Sequence, residues 1–295
     1  MKSLVISVII VTYNSENYIA DCIKSVLKYS HKCLAEIILV DNNSEDNTLT
    51  ILNKFKDHIN ILTNDKNYGF ARACNRGIQA STGDYIMILN PDTKFKNDVL
   101  NYFISFIDNN RYNNVWCVGA QLFDDYEKAT KSHGNFPNIL DVFLEQIGIK
   151  WLILRIIPKS YIAKKRLHLR NTFVHYVLGS SMFIRKNVFN EIGLFDERFF
   201  LNFEEAELSW RAKKAGYKSM ILPEAKILHY AGKSFPDKKN YLSHLWLGQL
   251  LFFKLTKNRF IFLIAKILHL FGSAIRLIIR FDNFYVLHLK KIKSI

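Results

Sequence analysis

Three short polar clusters in the first third of the chain could hold a ligand: Thr12-Tyr13-Asn14, Asp41-Asn42-Asn43-Ser44 and Asn90-Pro91-Asp92. Each ends an apolar run of strand-like composition. Their hydroxyls, amides and carboxylates are hydrogen-bonding groups of both kinds. A fourth cluster, Glu204, Glu205 and Glu207, opens a segment of helical pattern, where acids also favour the helix N-terminus through its dipole. His229 ends a later apolar run; a lone histidine there is more often a hydrogen-bonded core residue than a ligand.

The elements that must position these groups alternate strand and helix, which implies a parallel sheet. Strands are predicted at Leu4–Thr12, Ala35–Val40, Ile59–Thr63, Tyr85–Leu89 and Val115–Gly119. Helices are predicted at Asn17–Ser30, Thr48–Phe55, Gly69–Ala80 and Asp98–Asp108. In an open α/β sheet, ligands bind outside the carboxyl ends of the strands, so three polar strand ends on one edge define a site. The stretch from Gly119 to Asn171 reads as irregular or short helices, and Val174–Arg185 as strands around Gly179. Glu204–Ala215 is a helix closed by Gly216. Lys218–Leu222 and Lys226–His229 read as two short strands, and the chain is helical from Tyr241 onward.

The strings VTYN (11–14), VDNNS (40–44), NYGFARACN (67–75), ILNPD (88–92), GLFDERFF (193–200), FEEAELSWRAKKAGYK (203–218) and ILHYAGKS (227–234) together resemble family 2 glycosyltransferases of GT-A fold. The bacterial rhamnosyltransferase-like enzymes of surface polysaccharide and lipopolysaccharide synthesis look most similar. Each string alone is weak; seven in order are not. The resemblance implies that Asp41 accepts the N3–H of a uracil or thymine base. It implies donor contacts from Thr12, Tyr13, Asn14, Asn43, Asn67, Gly69, Arg72, Asn75 and Asn90. Asn42 departs from the family's aspartate, so no direct contact is expected of it.

The same resemblance makes Asp92 a metal ligand with His229 as a second, for Mg²⁺ or Mn²⁺. Asn90 stands where relatives carry the first aspartate of a D-x-D pair. Glu204-Glu205 matches the family's acidic pair, with Glu205 as the expected general base and Glu204 its neighbour. Gly179, Ser180 and Trp210 fall in the acceptor region. Glu207 and Arg211 have the spacing of a helical ion pair.

The chain has 295 residues and a formal net charge of +15. That charge is localised. Residues 149–171 hold seven Lys/Arg and no acid, and residues 233–295 hold twelve Lys/Arg and two acids. The remainder is close to neutral, which argues against a uniformly basic nucleic-acid binder and points the charge at a localised partner. Four scattered cysteines without a C-x-x-C pair suit a reducing compartment. The short apolar run after Lys2 reads as a strand, not a signal peptide.

Residues 260–279 are mostly apolar, with Lys266, His269, Ser273, Arg276 and Arg280 at spacings that form one polar stripe on a helix. The expectation is an in-plane helix, its stripe at the headgroups and its apolar face in lipid. Trp151 and the basic residues Lys164, Lys165, Arg166 and Arg170 suggest a second membrane or acceptor contact.

The sequence therefore predicts an α/β protein with a GT-A catalytic domain at 1–234, split into a donor half (1–119) and an acceptor half (120–234). A basic amphipathic region, 235–295, follows. The expected activity is inverting, metal-dependent transfer of a sugar, rhamnose leading, from a dTDP- or UDP-sugar to a lipid-linked or polysaccharide acceptor. The expected place is the cytoplasmic face of an anionic membrane. The rivals are a sugar-nucleotide-forming nucleotidyltransferase and a non-catalytic nucleic-acid- or membrane-binding protein. The first should carry a glycine-rich, basic loop after strand one; this chain has Tyr13-Asn14-Ser15-Glu16.

Overall fold

The computed structural model describes residues 5–29, 34–107, 112–149, 156–158, 162, 166–230, 238–280 and 282–295. Most of the first basic block, including Trp151, Lys164 and Lys165, and residues 231–234 of the last motif lie outside them. The first half contains β1 (Ile6–Thr12), α1 (Ile19–Tyr29), β2 (Leu34–Asp41), α2 (Thr48–Asn53), β3 (Asn60–Thr63), α3 (Phe70–Ala80), β4 (Tyr85–Leu89), β5 (Thr93–Phe95), α4 (Val99–Ile107) and β6 (Val115–Phe123). The second half begins with β7 (His133–Gly134), α5 (Ile139–Gln146), β8 (Thr172–Val174), β9 (Tyr176–Val177), β10 (Ser181–Arg185) and α6 (Phe189–Ile192). It continues with α7 (Glu204–Lys214), β11 (Lys218–His229), α8 (Lys238–Thr256), α9 (Arg259–Arg280) and α10 (Asn283–Ser294).

The main sheet runs β3-β2-β1-β4-β10-β6-β11-β5, with β8 alongside β11. β3, β2, β1 and β4 are parallel. β10 is antiparallel to both β4 and β6, so β6 and its parallel neighbour β11 point the same way as β4. The consequence is one functional edge. The carboxyl ends of β1, β2, β4 and β11 meet there, together with the start of β10, where Ser181 pairs with Leu89.

Alternation along the strands fills both faces. Val8, Ile10, Leu39 and Met87 join α1 and α4 in one core, while Ile9, Val11, Ile38 and Ile88 pack with α3 and α7 in another. These runs are apolar throughout because helices cover both sides.

Two predicted strands, Lys218–Leu222 and Lys226–His229, are a single strand. Its register on β6 shifts between Leu222 and Lys226, around Pro223, which has no N–H to give the ladder. The elements absent from the sequence reading, β5, β7 and α6, are two to four residues long and have no periodicity to read.

The last three helices pack on the body. Phe252 of α8 lies in the second core beside Trp210 and Phe136, and Leu250, Phe253, Ala265 and Ile292 form a third cluster with Val142.

The orientation of α9 corrects the sequence expectation. The middle of its polar stripe, His269, Ser273 and Arg276, faces the protein, while the Arg280 side chain lies outside the described residues. His269 and Ser273 are fully buried; His269 bonds Gln146 at 3.1 Å and Gln249 at 3.0 Å. Arg276 donates to Gln146 Oε1 at 2.9 Å and to the Glu145 carbonyl at 3.0 Å. Polar partners on α5 and α8 make burying this stripe cheap. The apolar face is left outward.

Candidate active site

A cavity of about 600 Å³ opens at the functional edge. Its wall includes Tyr13 after β1, Asn42 after β2, Asn67 and Gly69 before α3, and Asn90-Pro91-Asp92 after β4. Gly179-Ser180 before β10, Glu204-Glu205 opening α7, and His229 ending β11 complete the polar part. Residues up to 216 positions apart in sequence are thus brought to one place by the topology derived above.

Asp92 is 3% exposed, and its Oδ1 lies 3.3 Å from His229 Nε2. Adjacent ligands of an octahedral ion with bonds of about 2.1 Å stand about 3 Å apart, so this pair fits two neighbouring positions on one cation. Among the described residues no group of three His, Cys, Asp or Glu is close enough to form a complete protein cage. The set therefore suits a cation that takes further oxygens from a phosphate-bearing ligand and water.

Glu204 and Glu205 are buried side by side, and one oxygen of each, Oε2, has no hydrogen-bond partner among the described residues. Burial and then the neighbouring Glu205 push Glu204 well above the usual carboxylate range. Burial also raises Glu205, but backbone N–H groups, including that of Gly179, and the charge of Lys131 pull it back. Burial raises both acids, and two adjacent buried carboxyls resist carrying two negative charges at once. The turn that delivers them is strained: Asn202 and Phe203 have φ of 70° and 71°, unusual for residues with side chains. Gly248 of α8 lies against this turn; a Cβ there would meet the Asn202 carbonyl oxygen at 2.5 Å.

Gly69 has φ +86°, and a Cβ on it would come within 2.4 Å of the Phe200 carbonyl oxygen. It is held by Asn67, whose side chain accepts its N–H at 2.9 Å. This opens the amino end of α3 toward the cavity. Asn42 is also a wall residue and donates to the Gly69 carbonyl at 3.1 Å.

Other expected site residues are placed elsewhere. Asp41 is fully buried, with both carboxylate oxygens accepting from Ser44 at 2.6 and 3.0 Å, so it closes the turn behind Asn42 and does not line the cavity. Thr12 is buried beneath the wall. Asn14 accepts from the Glu45 N–H at 2.8 Å, and with the left-handed Asn43 it shapes the same loop.

Asn75 spends its amide on Phe195 and Glu197, tying α3 to the loop before α7. Arg72 lies over the Tyr68 ring at 4.1 Å and 3.8 Å from Glu197. Neither lines the cavity. Trp210 packs on Phe136 and Phe252 under the Lys257 ammonium, the core packing that its helical position favours over a stacking role on an acceptor sugar. Arg211 grips Glu207 and the Leu194 carbonyl, the structural pair its spacing implied.

The wall also contains Lys131, Tyr176, Asn202, Tyr241 and Leu245, none of which the sequence singled out. Lys131 is the one Lys or Arg among the described lining residues.

A mostly parallel sheet with a polar cavity at its carboxyl edge, lined by a carboxylate pair and an Asp–His pair, is the arrangement of a GT-A transferase of the glycosyltransferase kind. The match to the Glycosyl transferase family 2 model spans residues 7–193, and the chain belongs to that family. It is 23% identical over 257 residues to the N-acetylglucosaminyl-diphospho-decaprenol L-rhamnosyltransferase of Mycobacterium tuberculosis, covering 82% of this chain and 80% of that one. It is 28% identical over 175 residues to rhamnosyltransferase WbbL of Escherichia coli K12, covering 56% of this chain and 61% of that one.

Among solved structures, GalNAc-T7 with UDP, GalNAc and Mn²⁺ superposes with TM-score 0.65 at 16% identity, over 99% of this chain and 56% of that chain. The mannosyltransferase PcManGT of Pyrobaculum calidifontis, in complex with GDP-Man and Mn²⁺, gives 0.57 at 14% identity, over 98% and 73%. These likenesses establish the fold, and the family establishes a glycosyltransferase.

Proposed function

We propose that this glycosyltransferase is inverting and metal-dependent. It moves a sugar, rhamnose foremost, from a dTDP- or UDP-sugar to a lipid-linked or cell-surface saccharide at the cytoplasmic face of the membrane. The observation that carries the reading is the placement of Glu205 in the same cavity as Asp92 and His229. Asp92 and His229 would hold Mg²⁺ or Mn²⁺, which when bound offsets charge on the diphosphate. The wall supplies Asp92 and the Glu204–Glu205 pair against Lys131, the one Lys or Arg among its described residues, so a dianionic donor needs a further cation.

Glu205 accepts the proton of the acceptor hydroxyl. The hydroxyl oxygen forms its bond to the anomeric carbon as the carbon–oxygen bond to the diphosphate breaks, and the nucleoside diphosphate leaves with that electron pair. One displacement inverts the anomeric configuration. Glu204 lies beside it, and burial of the two together disfavours a second negative charge on the pair. Gly69 and Phe70 at the amino end of α3 line the cavity, where the helix dipole favours the donor's phosphates. Small residues at Gly179 and Ser180 leave space for the acceptor in a wall that also includes Tyr241 and Leu245.

The rhamnose assignment rests on the two rhamnosyltransferase relatives. The nucleotidyltransferase reading is disfavoured because the wall after β1 offers Tyr13 and Ser15 and no basic side chain. The test is product mass with a panel of UDP-, dTDP- and GDP-sugars and a prenyl-diphosphate-saccharide acceptor. A single added sugar, lost in Glu205→Gln, supports the proposal. A nucleoside diphosphate-sugar made from a sugar phosphate and a nucleoside triphosphate would overturn it.

A further inference from the structure

The outward face of α9 is a surface feature that transfer chemistry leaves unexplained. Phe260, Leu263, Ile267, Phe271 and Ile278 are 71%, 51%, 54%, 56% and 68% exposed. At about 100° per residue they lie on one stripe, opposite His269, Ser273 and Arg276. The segment Arg259–Ile279 is long and apolar enough to cross a bilayer, yet only 22% of its apolar window is buried. Leu287 of α10, and Leu140 and Phe143 of α5, the helices packed beside it, are also exposed. A soluble helix of this composition ordinarily turns its apolar face inward; this one is inverted.

We infer that this face is a docking surface for an anionic lipid bilayer, on which the protein lies with α9 in the plane of the interface. The inference goes beyond the transferase reading and deepens only its membrane location. Three observations select this occupant. First, α9 cannot leave the body to span lipid. His269, Gln146, Gln249 and Arg276 form one hydrogen-bonded set, and an arginine stripped of it at the bilayer centre costs about 2.5–3.5 kcal/mol. Second, the exposed charges near the face are basic: Lys254, Arg259, Lys290, Lys291 and Lys293. They attract anionic headgroups, and they would repel the same residues of a second copy docked face to face.

Third, α8 links this layer to the active site. Tyr241 and Leu245 line the cavity, while Trp246, Gln249, Leu250 and Phe253 of the same helix bond or pack against α5, α9 and α10. Two helix layers, α8 and α9, therefore lie between the cavity and the docked face, about 20 Å at about 10 Å each.

The polar stripe is thus an internal fastening, and the lipid contact is the opposite side of the helix from the one its charges suggest.

The test is sedimentation of the full chain with sucrose-loaded vesicles of phosphatidylcholine containing about 30% phosphatidylglycerol, against pure phosphatidylcholine, without donor or acceptor. The wild type is expected to sediment with the anionic vesicles and to be released by salt. The triple variant Leu263→Glu, Ile267→Glu, Phe271→Glu should lose partitioning by about 100-fold or more, with unchanged melting temperature and unchanged turnover of a short-chain soluble acceptor.

The conservative Phe271→Trp guards against a folding failure of the triple variant: its emission should shift to the blue on vesicles and be quenched by brominated acyl chains. An unquenched, unshifted tryptophan would overturn the inference. So would wild-type-like sedimentation of a folded triple variant, or a dimer that the triple variant dissolves while vesicle binding stays absent. Vesicle binding is read without catalysis, so its failure leaves the transferase proposal standing, and inactivity leaves the docking face standing.

Discussion

Replacing Glu205 by glutamine separates chemistry from stability. The amide keeps the shape of the carboxylate and can still accept the Gly179 N–H, but it cannot take a proton. General bases contribute typically about 10²–10⁴ in rate, so kcat should fall by that factor, about 2.7–5.5 kcal/mol of barrier, with the donor KM little changed.

Stability should move the other way. Burial raises both Glu204 and Glu205, so between the usual carboxylate value and their folded values the native state holds more protons than the unfolded chain. Stability then falls as pH rises through that window. Removing one acid removes part of the loss. Thermal unfolding should show Glu205→Gln melting about 2–4 °C higher at pH 8, the shift that ~1 kcal/mol produces in a domain of this size, and closer to wild type at pH 5. Glu204→Gln should share the gain in melting temperature and keep most of the turnover. Steady-state kinetics at saturating donor with parallel scanning calorimetry reads both. The reasoning is refuted if Glu205→Gln turns over within about threefold of wild type, or if Glu204→Gln loses as much.

Further outcomes follow from the same geometry. Lys131→Gln removes the nearby charge that lowers Glu205, so the acid limb of the pH–kcat profile should move to higher pH, with Lys131→Arg restoring it; an unmoved limb would remove Lys131 from this role. Gly69→Ala places a Cβ 2.4 Å from the Phe200 carbonyl at φ +86°, and urea unfolding should show a loss of about 2 kcal/mol or more. Gly248→Ala meets the Asn202 carbonyl oxygen at 2.5 Å, so it should displace the turn before Glu204 and lower kcat more than it lowers the melting temperature.

The strand runs and their polar ends were legible because a buried parallel strand is a continuous apolar run that stops where its edge meets a ligand. That is why Asn90 and Asp92 could be found, whereas Asn67, before α3, came from the family resemblance alone. Whether a polar residue at such an end faces the ligand or props the loop is decided by one bond to a neighbour. Asp41 and Ser44 close on each other, and the turned-away carboxylate leaves Asn42 in the wall.

Lys131, Tyr241 and Leu245 had no local signal. They come from an irregular loop and a helix whose docking depends on distant contacts such as Gly248 against Asn202. The α9 stripe shows the limit of periodicity most plainly. Spacing fixes that polar residues share a face, but not which way the face turns. Gln146 and Gln249, more than 100 residues apart, decide that.

The central claim is that this cavity binds a nucleotide through a cation held at Asp92 and His229. Titration calorimetry of UDP and dTDP, with Mn²⁺ and with EDTA, tests it directly in wild type, Asp92→Ala and Glu205→Gln. The account predicts metal-dependent nucleotide binding in wild type and Glu205→Gln, and its loss in Asp92→Ala. Equal affinity with Mn²⁺ and EDTA, or undiminished metal-dependent binding in Asp92→Ala, would contradict it.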